Sequence, residues 1–129
     1  MKILDTDILV AILRGKKDTQ DLLDYLSSED ITTTSITAFE LYYGAFKSER
    51  ASENIKEVDS LLSSYSIINF DKKSSKAAGE IYSKLEISGL NIGLRDVLIG
   101  AICIVNNATI ITRNVKHYSR IEGLNIEKW

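Results

Sequence analysis

At 129 residues, with 44% hydrophobic and 26% charged side chains, the chain is long enough to bury its own core and too apolar for disorder. No apolar run approaches the roughly 20 residues that cross a bilayer, and the N-terminus lacks the regions of a signal peptide. The net charge of -2 exerts no global pull on nucleic acid, and the single cysteine, Cys103, excludes an internal disulfide and fits a reducing, cytoplasmic setting.

Taken in order, Lys2-Ile3-Leu4 predicts a short buried strand that stops at Asp5-Thr6-Asp7. An amphipathic helix follows over residues 8–13, with Asp7 as its N-cap and Gly15 closing it. A second helix is expected over 20–28, capped by Asp18 or Thr19, with Leu22, Leu23, Tyr25 and Leu26 as its apolar side. Residues 31–33 are β-branched throughout and predict a second strand. A helix over 35–47 carries Phe39, Tyr42, Tyr43 and Phe46 at i, i+3, i+4 and i+7, a stripe that reads as core.

The next helix is expected over 52–64, with Ile55, Val58, Leu61 and Leu62 inward, and residues 65–70 read as a third strand. Asp71 caps a long helix over 72–87, which Ser88-Gly89 ends. Residues 95–106 form a helix that is apolar almost all round and therefore buried on most sides, with Cys103 as a small buried hydrophobe. Residues 108–112 make a fourth strand and 124–127 a short fifth at the edge. Strands alternating with helices imply one α/β domain over 1–129, with a mostly parallel sheet of four to five strands covered on both faces.

Four polar positions stand where an apolar residue or a plain cap would serve as well. Asp5 falls at the carboxyl end of a buried parallel strand, where open α/β sheets keep their ligand crevices. A carboxylate buried there needs a proton, a partner or a cation. Glu40 lies in the least polar part of its helix, and Gly44 one turn on leaves open space beside it. Asp96 opens the most hydrophobic helix, where Gly100 is expected to leave room beside the carboxylate; its plainer role is a helix-dipole partner. Thr112-Arg113-Asn114 ends the fourth strand at the same edge as Asp5.

A parallel sheet can converge Asp5, Glu40, Asp96 and Asn114 on one crevice. Three clustered carboxylates repel unless a cation sits among them, and all-oxygen ligation suits Mg²⁺ or Mn²⁺ rather than zinc. His117 is the only histidine, so a Ser-His-Asp or Cys-His mechanism would rest on it alone. Near these positions in sequence lie Arg14, Lys16, Lys17, Lys47, Arg50, Arg95, Arg113 and Lys116. An acidic centre with a basic rim suits a phosphodiester, with Arg14, Arg95 and Arg113 as substrate-binding candidates.

These residues resemble the PIN-domain ribonucleases, and within them the toxin half of VapBC-type toxin–antitoxin pairs. ILDTDIL is similar to the family's opening strand with its first acidic residue, Asp5, and TAFELYYG to the helix carrying the second, Glu40. GLNIGLRDVLIGA resembles the segment of the third, Asp96, and IITRNVKHYSRIEGLNIEKW the closing segment, in which Thr112 and Asn114 match the polar positions. Asn114 stands where the family often has an aspartate, and Asp7 where it often has serine or asparagine. The resemblance implies a three-layer α/β/α sandwich, Mg²⁺-dependent cleavage of RNA, inhibition by a cognate antitoxin and homodimerisation. It also implies Asp5 and Asp96 as metal ligands, Glu40 ligating directly or through water, and Thr112 and Asn114 positioning water or phosphate.

Two other readings stay open at this level. Asp5-Thr6-Asp7 also resembles the nucleophile loop of haloacid-dehalogenase-like phosphatases, in which Asp5 would attack phosphorus. Alternatively, a non-catalytic module of nuclease fold would use the aromatic stripe to hold a protein partner.

Overall fold

The computed structural model describes residues 1–27 and 29–129. In chain order the elements are β1 (Lys2–Leu4), α1 (Thr6–Leu13), α2 (Lys17–Tyr25), β2 (Ile31–Thr34), α3 (Ser35–Phe46), α4 (Ala51–Leu62), β3 (Ser66–Ile68), α5 (Lys72–Ile87), α6 (Leu94–Val105), β4 (Thr109–Thr112), α7 (Val115–Tyr118) and β5 (Asn125–Lys128). Among the described residues five strands form one sheet in the order β3-β2-β1-β4-β5. Every neighbouring pair is parallel, with Ile3 opposite both Thr32 and Ile110.

Side chains alternate across a strand, and two neighbours on β1 show the consequence. Ile3 packs into one apolar cluster, with α5, α6, Tyr118 and Ile121; Leu4 packs into the other, with α1, α2, α3 and α4. Ile110 and Ile111 on β4 divide the same way. The sheet is thus covered on both faces, which is why its central strands are continuous apolar runs. The chain leaves β1 toward β2 and β3, then returns to the opposite side of β1 through β4. This reversal makes the carboxyl ends of β1 and β4 the switch point at which such sheets bind ligands.

Several element ends fall where the sequence puts them. Asp71 caps α5 by accepting from Ser74 N at 2.8 Å, and Gly15 and Gly89 follow α1 and α5 at φ of +66° and +69°. Others differ. Helix α1 begins at Thr6, so its N-cap is Asp5 rather than Asp7; Asp5 Oδ1 accepts from Thr6 N at 2.8 Å. Helix α2 starts three residues before the expected Gln20, and its expected end at Ser28 lies outside the described residues. Tyr25, expected inward, is 61% exposed. The one-turn helix α7 has no counterpart in the sequence reading.

Gly100 corrects a second expectation. It does not leave room beside Asp96: a Cβ there would lie 2.5 Å from Ile121 Cδ1. The residue lets Ile121, itself buried, close against α6. Gly100→Ala should therefore lower stability, because overpacking of roughly 1–3 kcal/mol exceeds the helix-propensity gain of about 1 kcal/mol. In an Ile121→Val background, which removes the clashing methyl, the same change should cost less or turn stabilising. Urea denaturation of the four proteins measures the coupling, and equal costs in both backgrounds would refute it.

Candidate active site

The carboxyl ends of β1 and β4 open into a cleft of about 690 Å³, lined among others by Asp5, Asp7, Glu40, Asp96 and Asn114. Asp5 ends β1 and caps α1 at once, which pins its backbone from both sides. Its carboxylate is only 4% exposed and fully engaged: Oδ1 accepts from Thr6 N and from the Tyr118 hydroxyl (3.0 Å), and Oδ2 from the Thr112 hydroxyl (2.7 Å). Burial, then the charge of Asp7, outweighs these hydrogen bonds and pushes the Asp5 carboxyl up to about 7.

Asp7 lies in the first turn of α1 and lines the cleft. Its Oδ2 accepts from Arg113 N at 3.0 Å, whereas its buried Oδ1 has no hydrogen-bond partner among the described residues. Burial raises this carboxyl too, against the backbone bond from Arg113. Asp96 does not bond its own helix. Oδ2 accepts from Asn114 Nδ2 at 3.1 Å and lies 3.0 Å from His117 Nδ1, and Oδ1 is 3.4 Å from the Tyr118 hydroxyl. That placement departs from a plain helix-dipole partner. Glu40 Oε1 accepts from the Thr6 hydroxyl at 2.9 Å, with Thr37 Oγ1 3.0 Å behind it, and Arg95 reaches Oε2 at 3.4 Å.

Of the expected residues, the fold therefore gathers Asp5, Asp7, Glu40, Asp96 and Asn114. Thr112 is near them but completely buried, accepting from Asn114 N while donating to Asp5, so it holds the carboxylate rather than facing the cleft. Arg14, Lys16 and Arg113 line the cleft, and the Arg113 guanidinium pairs with Asp18 at 2.8 Å. Arg95 stands at the Glu40 side; Arg50 pairs with Glu53 at the start of α4. The stripe expected in the core lies outside: Phe39, Tyr43 and Phe46 are exposed and only Tyr42 packs partly inward. Cys103 is buried as expected, and burial followed by the Asp5 charge pushes its thiol up to about 12.

The sequence reading missed Tyr118 and, as a site residue, His117. The only trace is their spacing, three and four residues after Asn114, but one helical turn is too short for periodicity to register. Tyr118 is fully buried with its hydroxyl between Asp5 and Asp96; burial, then the Asp5 and Asp96 charges, raises it far above the ordinary phenol range, so it remains a donor.

The donor set fits a hard divalent cation: carboxylates share one cleft, burial and neighbouring carboxylates raise Asp5 and Asp7, and the Asp7 Oδ1 is buried and unpaired among the described residues. Among the described residues no three His, Cys, Asp or Glu side chains come together as a ready-made metal group, and Tyr118, Thr112 and Asn114 hold hydrogen bonds to the carboxylates.

A strand order that reverses at β1, with an acidic cleft at the reversal, is that of a doubly wound α/β enzyme, and a model of the PIN domain matches residues 2–124. Ribonuclease VapC2 of Rickettsia felis is 37% identical over 129 residues, covering 98% of this chain and 96% of the relative. The VapBC2 structure from Rickettsia felis, bound to a fragment of promoter DNA, superposes with a TM-score of 0.92 at 35% identity, covering 99% of this chain and 98% of the other. DNA-bound VapBC from Salmonella typhimurium gives 0.91 at 26% identity, with 99% and 97% covered. The chain belongs to the PIN-domain family, in its VapC-type ribonuclease branch. That membership sets the phosphatase reading aside.

The Asp5 shift has a measurable sign. Its folded-state carboxyl holds a proton up to about pH 7, which the unfolded chain releases near 3.8, so in chelator stability should fall as pH rises from 5 to 7. The slope from this group is at most about 1.4 kcal/mol per pH unit. Asp5→Asn should flatten it; urea melts at both pH values read the slope, and an unchanged slope would place the titration elsewhere.

Proposed function

We propose that residues 1–129 act as one PIN-like nuclease domain, an endoribonuclease using Mg²⁺ or Mn²⁺, and the toxin of a cytoplasmic, homodimeric toxin–antitoxin system. The observation that carries this is the cleft itself, where Asp5, Asp7, Glu40 and Asp96 meet at the switch point with a buried carboxylate oxygen left unpaired among the described residues. Relatives named as ribonucleases and neighbours solved as VapBC complexes support the same reading, and divalent-metal dependence is general in the family.

Asp5 and Asp96 would hold the cation, with Glu40 and Asp7 beside them. A divalent cation there supplies Lewis-acid charge to the phosphodiester undergoing hydrolysis. Thr112 and Tyr118 keep Asp5 oriented, and Asn114 does the same for Asp96. Thr6 aims Glu40 into the cleft, while Arg14 and Arg113 border it where flanking phosphates would pass. RNA cleavage should vanish in chelator, return with Mg²⁺ or Mn²⁺, and be poorly supported by Ca²⁺, whose looser coordination suits in-line attack badly. The parent should gain about 2.7 kcal/mol at a metal concentration about 100 times its dissociation constant. Asp96→Asn and Asp5→Asn should each lose that gain and most activity, the pair together little more than either alone. An Asp96→Asn protein that keeps the full thermal shift would reduce Asp96 to a structural role.

The antitoxin would lie in the groove that continues from the cleft between α1, α3 and α4, over Val10, Leu13, Leu41, Ala45 and Val58. Gly44 faces this groove, and a Cβ added there would meet nothing within 4 Å. A basic side chain from an amphipathic partner helix would then reach the acidic cleft. Gly44→Leu should weaken the complex with the product of the neighbouring small reading frame by about tenfold, while leaving cleavage by the free protein intact. Co-purification that yields no complex with the parent, and no inhibition, would refute the partner.

A further inference from the structure

His117 is the only histidine of the chain, and the ribonuclease chemistry above leaves it without a task. The one-turn helix α7 sets its side chain, 40% exposed, against Asp96 of α6. Three polar atoms meet there. Asp96 Oδ2 lies 3.1 Å from Asn114 Nδ2 and 3.0 Å from His117 Nδ1, and the two nitrogens are 2.9 Å apart. A carboxylate only accepts, so the Asn114 amide turns its nitrogen to Asp96, and that nitrogen only donates. His117 Nδ1 therefore meets a donor and presents a lone pair to it, which puts the ring proton on Nε2. One contact of the three is left unsatisfied: Nδ1 and Oδ2 face each other at 3.0 Å as two acceptors with no hydrogen between them. A protonated Nδ1 would serve Asp96 only by pointing its hydrogen at the hydrogens of the Asn114 amide.

We infer that His117 Nδ1 is a nitrogen ligand for the cation beside Asp96 Oδ2, and that it makes the site prefer Mn²⁺ to Mg²⁺. The inference deepens the metal-nuclease reading and rests on it. Two ligand atoms, each about 2.1 Å from one cation and at right angles to each other, stand about 3.0 Å apart. Nδ1 and Oδ2 have that spacing, and a cation shared by them turns a contact between two acceptors into two bonds. Imidazole nitrogen suits first-row transition ions, whereas Mg²⁺ takes oxygen ligands and keeps its waters. Asp5, Asp7, Glu40 and Asp96 offer only oxygen, so the nitrogen of His117 is what separates the two ions.

The test titrates the metal-stripped parent, His117→Ala and His117→Asp with Mn²⁺ and with Mg²⁺ by calorimetry, and records pulsed EPR spectra of the Mn²⁺-loaded proteins. A cooperative thermal melt in chelator confirms that each variant is folded. His117→Ala should bind Mn²⁺ about 10–100-fold more weakly, a loss that even a partner standing behind a ligand brings, while Mg²⁺ binding changes far less. The Mn²⁺ spectrum of the parent should carry coupling to a ligand nitrogen, and that of the alanine variant should not. His117→Asp puts oxygen in place of the nitrogen, so it should bind both ions and lose the preference for Mn²⁺. An alanine variant that keeps the parent's ratio of Mn²⁺ to Mg²⁺ affinity overturns the inference, as does a parent spectrum without nitrogen coupling. Equal tightening of both ions in His117→Ala overturns it too, because the ring would then be a competing cation. A parent that binds neither ion defeats the metal-nuclease reading itself, a different failure from any of these.

Discussion

The structure depends on keeping one carboxylate, Asp5, out of water. It sits where the central strand β1 becomes the helix α1, so neither its backbone nor its side chain can retreat without breaking both elements. A buried carboxylate costs several kcal/mol unless it is bonded or paired. Here the backbone of Thr6, the hydroxyl of Thr112 and the hydroxyl of Tyr118 supply the bonds, and the α1 N-terminus adds a favourable dipole. Each of those donors imposes a requirement elsewhere. Thr112 must end β4 beside β1, and Tyr118 must be carried under the sheet edge by the short turn α7. That turn is seated because Ile121, just beyond it, closes against Gly100 of α6. A glycine in one helix thus helps to place a phenol that serves an aspartate at the end of a distant strand.

Among the described residues the donors to Asp5, and the Asn114 amide on Asp96, are neutral: a backbone amide, two hydroxyls and an asparagine amide. A lysine or arginine in their place would satisfy the carboxylates and cancel their charge. Neutral donors fix orientation without adding positive charge, so burial, with the neighbouring carboxylates adding to it, still raises Asp5 and Asp7. Asn114 shows the same economy. An aspartate there would add a further like charge against Asp96, whereas the amide donates to it.

Most of this architecture was legible because strands and helices alternate with strong apolar periods, and a parallel sheet brings the ends of β1 and β4 together whatever the loops do. Asp5, Glu40 and Asp96 could be gathered on paper for that reason. What periodicity does not carry is which face of a helix meets the core. On α3 the spacing of Phe39, Tyr43 and Phe46 is regular, yet Thr37, Leu41 and Ala45 supply the buried face and the rings turn out. Cap assignment failed for a related reason: Asp5 and Asp7 are equally good caps locally, and only the tertiary need to hold Asp5 decides between them. The role of Gly100 was invisible because its partner, Ile121, is distant in sequence, and α7 was invisible because four residues hold no period.

Glu40 shows how a residue can be held and still be available. On one side it accepts from the Thr6 hydroxyl, which Thr37 backs up, and this bond ties α3 to the first turn of α1. On the other side its partner is Arg95, 3.4 Å away, with the arginine side chain 54% exposed. An ion pair so open to water contributes about 1 kcal/mol or less, so Arg95 can leave Glu40 for a stronger anion at little cost. The hydroxyl bond, by contrast, survives that exchange and keeps the carboxylate aimed at the cleft. The two sides of Glu40 therefore differ in kind: one positions it through a neutral donor, and the other is an open ion pair that water screens.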